Sequence, residues 1–310
     1  MHYRHLLILS LTAALCLACA AAPAPRRIRN DARLSLRHLN KGASYYNKGC
    51  YAKALAHLRE AHERFTAADD LPGTAESLNS IANTYYRLGD FQKALVLYDE
   101  AIMLFRQLGQ TSGQVRALAN KAAVLIADGQ PDMASTALDQ AEKAAGGRPI
   151  LLALRMKTRA MLLLARNMPG EAQTVLMGAL SAAANTDLSV RADIQYTLGH
   201  LMLTTENPET ALSHLEAALE IDRGNGAYFS VAMDLAALGT GCDQLSRYDD
   251  AAGYYRRSIK IFALLQAPHK VRWVLPRFIS SADKAGVDIG ATIQWTEDWL
   301  AGRQESDICR

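Results

Sequence analysis

The chain has 310 residues, half of them apolar and 7% aromatic, with a formal net charge of +3. That length sustains a large core or a long solenoid, and an alanine-rich composition with few aromatics favours helices over sheets. The near-neutral charge, with no basic stripe interleaved with aromatics, excludes a general nucleic-acid binder, and five cysteines without short paired spacing argue against a disulfide scaffold or a zinc site.

Residues 1–22 read as a bacterial export signal: Arg4, with His2 and His5, opens a positive stretch, Leu6 to Ala18 is an uncharged apolar run, and small residues follow. The run is too short to prefer spanning a membrane as a mature helix. Leu17-Ala18-Cys19-Ala20 resembles a lipobox, in which Cys19 is lipidated and becomes the first mature residue. Cys16 and Leu17 depart from the usual pattern, and plain cleavage after Ala20 or Ala22 is the alternative. Residues 23–34 are expected to be a basic linker, with APRRIRN at 24–30 as its tether.

From residue 35 the chain repeats itself. Ala54, Ala94, Ala134, Ala172, Ala211, Ala251 and Ala291 are spaced by 40, 40, 38, 39, 40 and 40 residues. Around each lies an apolar pattern of helical period, a break, and a second such pattern. The clearest copy is Ala75 to Met103, where Leu78, Ile81 and Tyr85 precede Leu88-Gly89-Asp90, and Ala94, Leu97, Tyr98 and Ala101 follow. Small residues face large ones, as two closely packed helices require. Three residues before the ruler alanine stand Tyr51, Phe91 and Tyr248, or Pro131, Pro169 and Pro208. Proline is tolerated in a first helical turn, so both sets predict the start of a second helix. Asp90 and Asn207 are predicted N-caps.

This unit resembles a tetratricopeptide repeat, matched by Leu78, Ile81-Ala82, Tyr85, Gly89, Phe91, Ala94, Tyr98 and Ala101. Extra residues after the last alanine, as at 102–108, resemble the longer-repeat branch found in kinesin light chains and bacterial peptide-sensing regulators. The resemblance implies an all-α, right-handed superhelical solenoid of about seven repeats over residues 35–300, with first helices lining a concave face. The seventh copy is expected to be a degenerate cap, and residues 301–310 a tail.

No phosphate loop, nucleophile elbow or cofactor motif is present, and no cofactor, metal or enzymatic activity is expected. His57, Glu60, His62 and Glu63 read as a solvated helix face, because two histidines five apart cannot share a metal. Cys242 reads as a buried hydrophobe. Cys50 reads as lying in an exposed turn and Cys309 in the tail, with nothing to support their pairing.

In the resembled family the concave groove uses five positions of each first helix. In the second repeat these include Asn79, Asn83, Tyr86 and Arg87; Asn can satisfy a peptide backbone and Arg a carboxylate. Tyr46, Asn47, Arg116, Lys157, Tyr196 and His200 extend the expected patch, with an apolar middle at Ala119, Ala123, Ile126, Ala127, Leu154, Met161, Leu164 and Ala165. His214 reads as a surface residue. The function expected is a protein-interaction scaffold of the bacterial cell envelope, exported to the periplasm or outer membrane. It would hold an extended or helical partner segment in its groove and reach the membrane through the lipid anchor, with no nucleic-acid partner. A structural spacer using its convex face or ends is the alternative.

Overall fold

The computed structural model describes residues 26–149, 151–183, 188–303 and 307–309, so the expected export signal and Cys19 lie outside the described residues. Those residues form fourteen helices and no strand. They pair in chain order: α1 (Arg26–Lys48) with α2 (Tyr51–Ala67), α3 (Leu71–Leu88) with α4 (Phe91–Gln107), α5 (Thr111–Ala127) with α6 (Pro131–Ala145), and α7 (Leu152–Ala165) with α8 (Pro169–Ala182). The series continues with α9 (Leu188–Thr204) and α10 (Pro208–Asn225), α11 (Tyr228–Gln244) and α12 (Tyr248–Leu264), and α13 (Pro268–Ala285) and α14 (Gly290–Leu300). None of these helices is long and apolar enough to cross a membrane. The first helix begins at Arg26, inside the expected linker, which is therefore helical from that residue on.

All six predicted second-helix starts are observed, at Tyr51, Phe91, Pro131, Pro169, Pro208 and Tyr248. The ruler alanines from Ala54 to Ala251 have no exposed surface, because each sits where the second helix crosses the first. Packing within each pair sets a small residue against a large one. A Cβ added to Gly199 would lie 2.5 Å from Leu215 Cγ, and one added to Gly239 would lie 2.7 Å from the Tyr255 ring. Ala82 and Tyr98, both fully buried, stand at the same positions in the second repeat.

The turns confirm one of the two expected caps and correct the other. Asp90 accepts the Lys93 amide at 3.3 Å, and Gly89 ends α3 at φ +82°. Asn207 makes no such bond to the backbone; its Oδ1 accepts from the Thr210 hydroxyl at 3.0 Å instead. The seventh ruler also shifts. Asp288 Oδ1 accepts the Gly290 amide, α14 starts late, and Ala291 is exposed while Thr296 and Trp299 carry the buried seam.

The expectation for Cys50 and Cys309 is overturned. They form a disulfide with Cα atoms 5.6 Å apart and a sequence separation of 259. Cys50 is 4% exposed, packed with Leu265, Tyr228 and Phe229. The turn before α2 is seated on the sixth repeat: the Tyr51 and Phe229 rings meet edge to face at 5.6 Å, and a Cβ on Gly49 would lie 2.8 Å from Phe229 Cβ. The tail that carries Cys309 is pinned to α12 by the Ile308 amide, which donates to the Leu264 carbonyl at 3.1 Å. The solenoid therefore closes on itself after six repeats. Cys242 is fully buried, as expected.

The His57 cluster is not a solvated face. His57 Nδ1 lies 3.2 Å from His38 Nδ1, His62 Nδ1 lies 3.1 Å from Ser77 Oγ, and Glu60 pairs with Arg64 at 2.6 Å. The histidines face different first-helix partners because α2 packs between α1 and α3. His214 is half-buried against Gln195 Oε1, at 2.6 Å, rather than free on the surface.

Candidate ligand-binding cavity

Closure turns the concave groove into a partly open cavity. A cavity of about 460 Å³ is walled by α1, α3, α5, α7, α9 and the start of α11. A second, of about 440 Å³, shares Tyr86, Arg87, Asp193, Tyr196, Asp222, Phe229 and Ser230 with it and extends toward α13. Their volumes lie in the range of small-ligand and short-segment pockets.

Eight of the ten expected groove residues meet here: Tyr46, Asn47, Asn83, Tyr86, Arg87, Arg116, Lys157 and Tyr196. Asn79 and His200 line neither cavity. Asn79 is 3% exposed, and its Oδ1 has no hydrogen-bond partner. The same position is buried in the third and sixth repeats (Ala119 and Ala236), whereas in the fourth and fifth it carries Lys157 and Tyr196, which reach the cavity. His200 lies farther along α9, exposed beside the Tyr196 ring.

The polar wall is preorganised. Asn83 Oδ1 accepts from the buried Tyr98 hydroxyl and from Asn120 Nδ2 at 3.0 Å, which fixes the amide and leaves its NH₂ group facing the cavity. Two of the wall's cations are neutralised by neighbouring repeats: Arg116 pairs with Glu76, and Lys157 pairs with Asp193 at 2.6 Å. Arg87 differs. Its Nε donates to a neutral partner, the Tyr46 hydroxyl, at 3.2 Å. It is open to the cavity's water although protein surrounds it, and Tyr46, then Tyr51 and Asp193, hold its guanidinium above the ordinary range against the effect of burial. Burial pushes Asp193 up, but Lys157 and Arg87 outweigh it and hold the carboxyl below its usual value.

Apolar lining comes from Ala123, Leu154 and Met161, with Ala127 in the second cavity, and from Phe229; the other residues of the expected apolar middle, Ala119, Ile126, Leu164 and Ala165, line neither cavity. Tyr51, Asp193, Asp222, Phe229, Asp234 and Lys270 were not foreseen. Asp193 holds the same place in α9 as Glu76 in α3 and Arg116 in α5, so the groove pattern contained it. Tyr51 and Phe229 meet where the first and sixth repeats touch.

Models of the family described as "Tetratricopeptide repeat" match residues 34–107, 115–140 and 190–263, which together span more than half of the chain. The chain belongs to the tetratricopeptide-repeat family. Among curated proteins no match was found. Solved structures share the fold. A signal transduction ATPase with numerous domains from Pyrococcus horikoshii, with a tetratricopeptide repeat sensor, aligns at TM-score 0.59 and 14% identity, over 80% of this chain and 37% of that one. The present chain thus spans little more than a third of that protein. A Rap protein complexed with competence and sporulation factor aligns at TM-score 0.58 and 14% identity, over 80% and 74% of the two chains. The Rap conjugation gene regulator of plasmid pLS20, in complex with the Phr* peptide, aligns at 0.56 and 13%, over 81% and 76%. At these identities the likeness concerns the fold.

Proposed function

We propose that this protein is a non-enzymatic binding scaffold that holds a short extended segment of a protein or peptide partner inside the cavity. The observation that carries this reading is Arg87, a cation with a neutral partner on the cavity wall, flanked by the fixed Asn83 amide and the Tyr46 and Tyr86 rings. A carboxylate or backbone carbonyl of the segment would satisfy Arg87, and the Asn83 NH₂ group would donate to a second carbonyl. The two Rap structures, one complexed with competence and sporulation factor and one with the Phr* peptide, give precedent for such a ligand on this fold.

The setting we propose is the bacterial envelope, after export and lipidation at Cys19. The Cys50–Cys309 disulfide supports it, because such bonds persist in oxidising compartments. Mass spectrometry of the mature amino terminus tests this point: a diacylglyceryl Cys19 is expected, and an unmodified Ala21 or Pro23 would contradict it. For the cavity, the test is double substitution of Asn83 and Arg87 by Ala. Partner capture should be lost while helicity and melting temperature hold. Retained capture would shift binding to the convex face or the ends, and the protein would then be a spacer.

A further inference from the structure

The floor of the second cavity holds a pair of carboxyl groups that the fold does not need. Asp222, near the end of α10, and Asp234, in α11, are 6% and 1% exposed and both line the cavity. Each occupies a core position. Eleven residues after the ruler alanine, where α10 carries Asp222, other second helices carry the buried Phe65, Phe105 and Phe262. At the place of Asp234, other first helices carry the buried Ser77, Ala117, Ile194 and Val274. Two acids thus replace core side chains side by side, where burial without a counter-charge is costly.

Among the described residues no N–H or hydroxyl reaches either oxygen of Asp234, whose one hydrogen-bonding neighbour is the Asp222 carboxyl; the Ser230 hydroxyl bonds Asp222. Neither acid forms an ion pair among the described residues. The groups around them are Asp193 and Tyr196 on α9, Arg87 on α3, the exposed Arg223 on α10, and His269 and Lys270 on α13. Lys270 lies over the Phe229 and Trp273 rings instead of pairing with the acids. Burial, then Asp193 for one and Asp222 for the other, pushes Asp222 up to about 7 and Asp234 up to about 9. At neutral pH a proton therefore takes the place of the missing counter-ion.

We propose that Asp222 and Asp234 form a subsite for a primary ammonium group of the segment in the cavity, a lysine side chain or a free amino terminus. This rests on the reading that the cavity is the ligand site, and it adds a cation-seeking pole to the anion-seeking pole at Arg87. An ammonium offers three donors to a carboxyl pair that receives only the Ser230 hydroxyl from the surrounding protein, and its alkyl stem would lie along Phe229 and Met233. As the ammonium enters, the shared proton leaves to solvent; no covalent bond changes.

The probe is pentylammonium, titrated calorimetrically into the mature full-length protein at pH 7 in buffers of different ionisation enthalpy, with ¹³Cγ spectra of aspartate-labelled protein. Binding should release roughly half to one proton per ammonium, and Asp234→Asn and Asp222→Asn should each weaken it at least tenfold. Using both variants, each with helicity checked, guards against one failing to fold. Pentanol should release no proton, and potassium chloride at equal concentration should not displace the probe. Unchanged binding in the folded variants would overturn the proposal, as would displacement by potassium, which would make this an inorganic-cation site. Hexanoate reports on the underlying reading through the Arg87 Nε resonance. If hexanoate shifts that resonance and pentylammonium does not bind, the ammonium subsite fails while the cavity reading stands; silence from both probes overturns both.

Discussion

Single side chains in this protein divide into those that make the repeat and those that depart from it. Ala94 is fully buried, in close packing with the preceding helix. Ala94→Leu should cost about 1–3 kcal/mol through overpacking, read as a lowered denaturation midpoint with an unchanged m-value. The departures carry the chemistry. The carboxyls of Asp222 and Asp234 sit above an ordinary carboxylate in the folded state, so the native protein binds more protons than the unfolded chain from about pH 4 up to their values of about 7 and about 9. Stability should therefore be highest near the acid end of that window and fall as pH rises through it, by up to roughly 1.4 kcal/mol per pH unit for each proton. In denaturant titrations from pH 5 to 9, Asp234→Asn should flatten the decline and be the more stable form at pH 9. A variant that follows the wild-type slope would show that this pair does not titrate as described.

At the scale of helices and turns, much was legible in the sequence. Tyr51 and Pro131 differ in every property except tolerance of a first turn, and both begin helices where the frame placed them. The frame slipped by one residue only where Asp288 redirects the entry into α14. The groove was read less well, for a physical reason. The family pattern names positions on an isolated first helix, but adjacent first helices pack together, which buries Asn79 and Ala119. Asp222 was legible in principle, as an acid standing where Phe65, Phe105 and Phe262 stand elsewhere. The pairing of Cys50 with Cys309 was not. It depends on curvature summed over six repeats, and small rotations between neighbours leave no local mark in sequence. Cross-linking so distant a pair constrains the unfolded chain strongly, by about 5 kcal/mol in the chain-entropy picture. Cys50→Ser should lower the melting temperature, and mild reduction should do the same to the wild type but not to the variant.

Across the whole molecule, closure is what turns a groove into a cavity. The first repeat meets the sixth through Gly49, Tyr51 and Phe229, and the disulfide holds them together. An open superhelix would present Arg87 to bulk water; here Tyr46, Tyr51 and Asp193 surround it in a confined space, where electrostatic contacts are stronger. Solution scattering should show a larger radius of gyration for Cys50→Ser under native conditions if the disulfide maintains closure, and an unchanged one if the Phe229 contacts suffice.

The most direct measurement places a photo-crosslinking amino acid at Tyr86, on the cavity wall, and at Val96, an exposed residue of α4, in the full-length protein inside the cells that produce it. Binding inside the ring predicts a defined adduct from Tyr86 that is lost with Arg87→Ala, and none from Val96. An adduct from Val96 alone, or one from Tyr86 that survives the loss of Arg87, would contradict it.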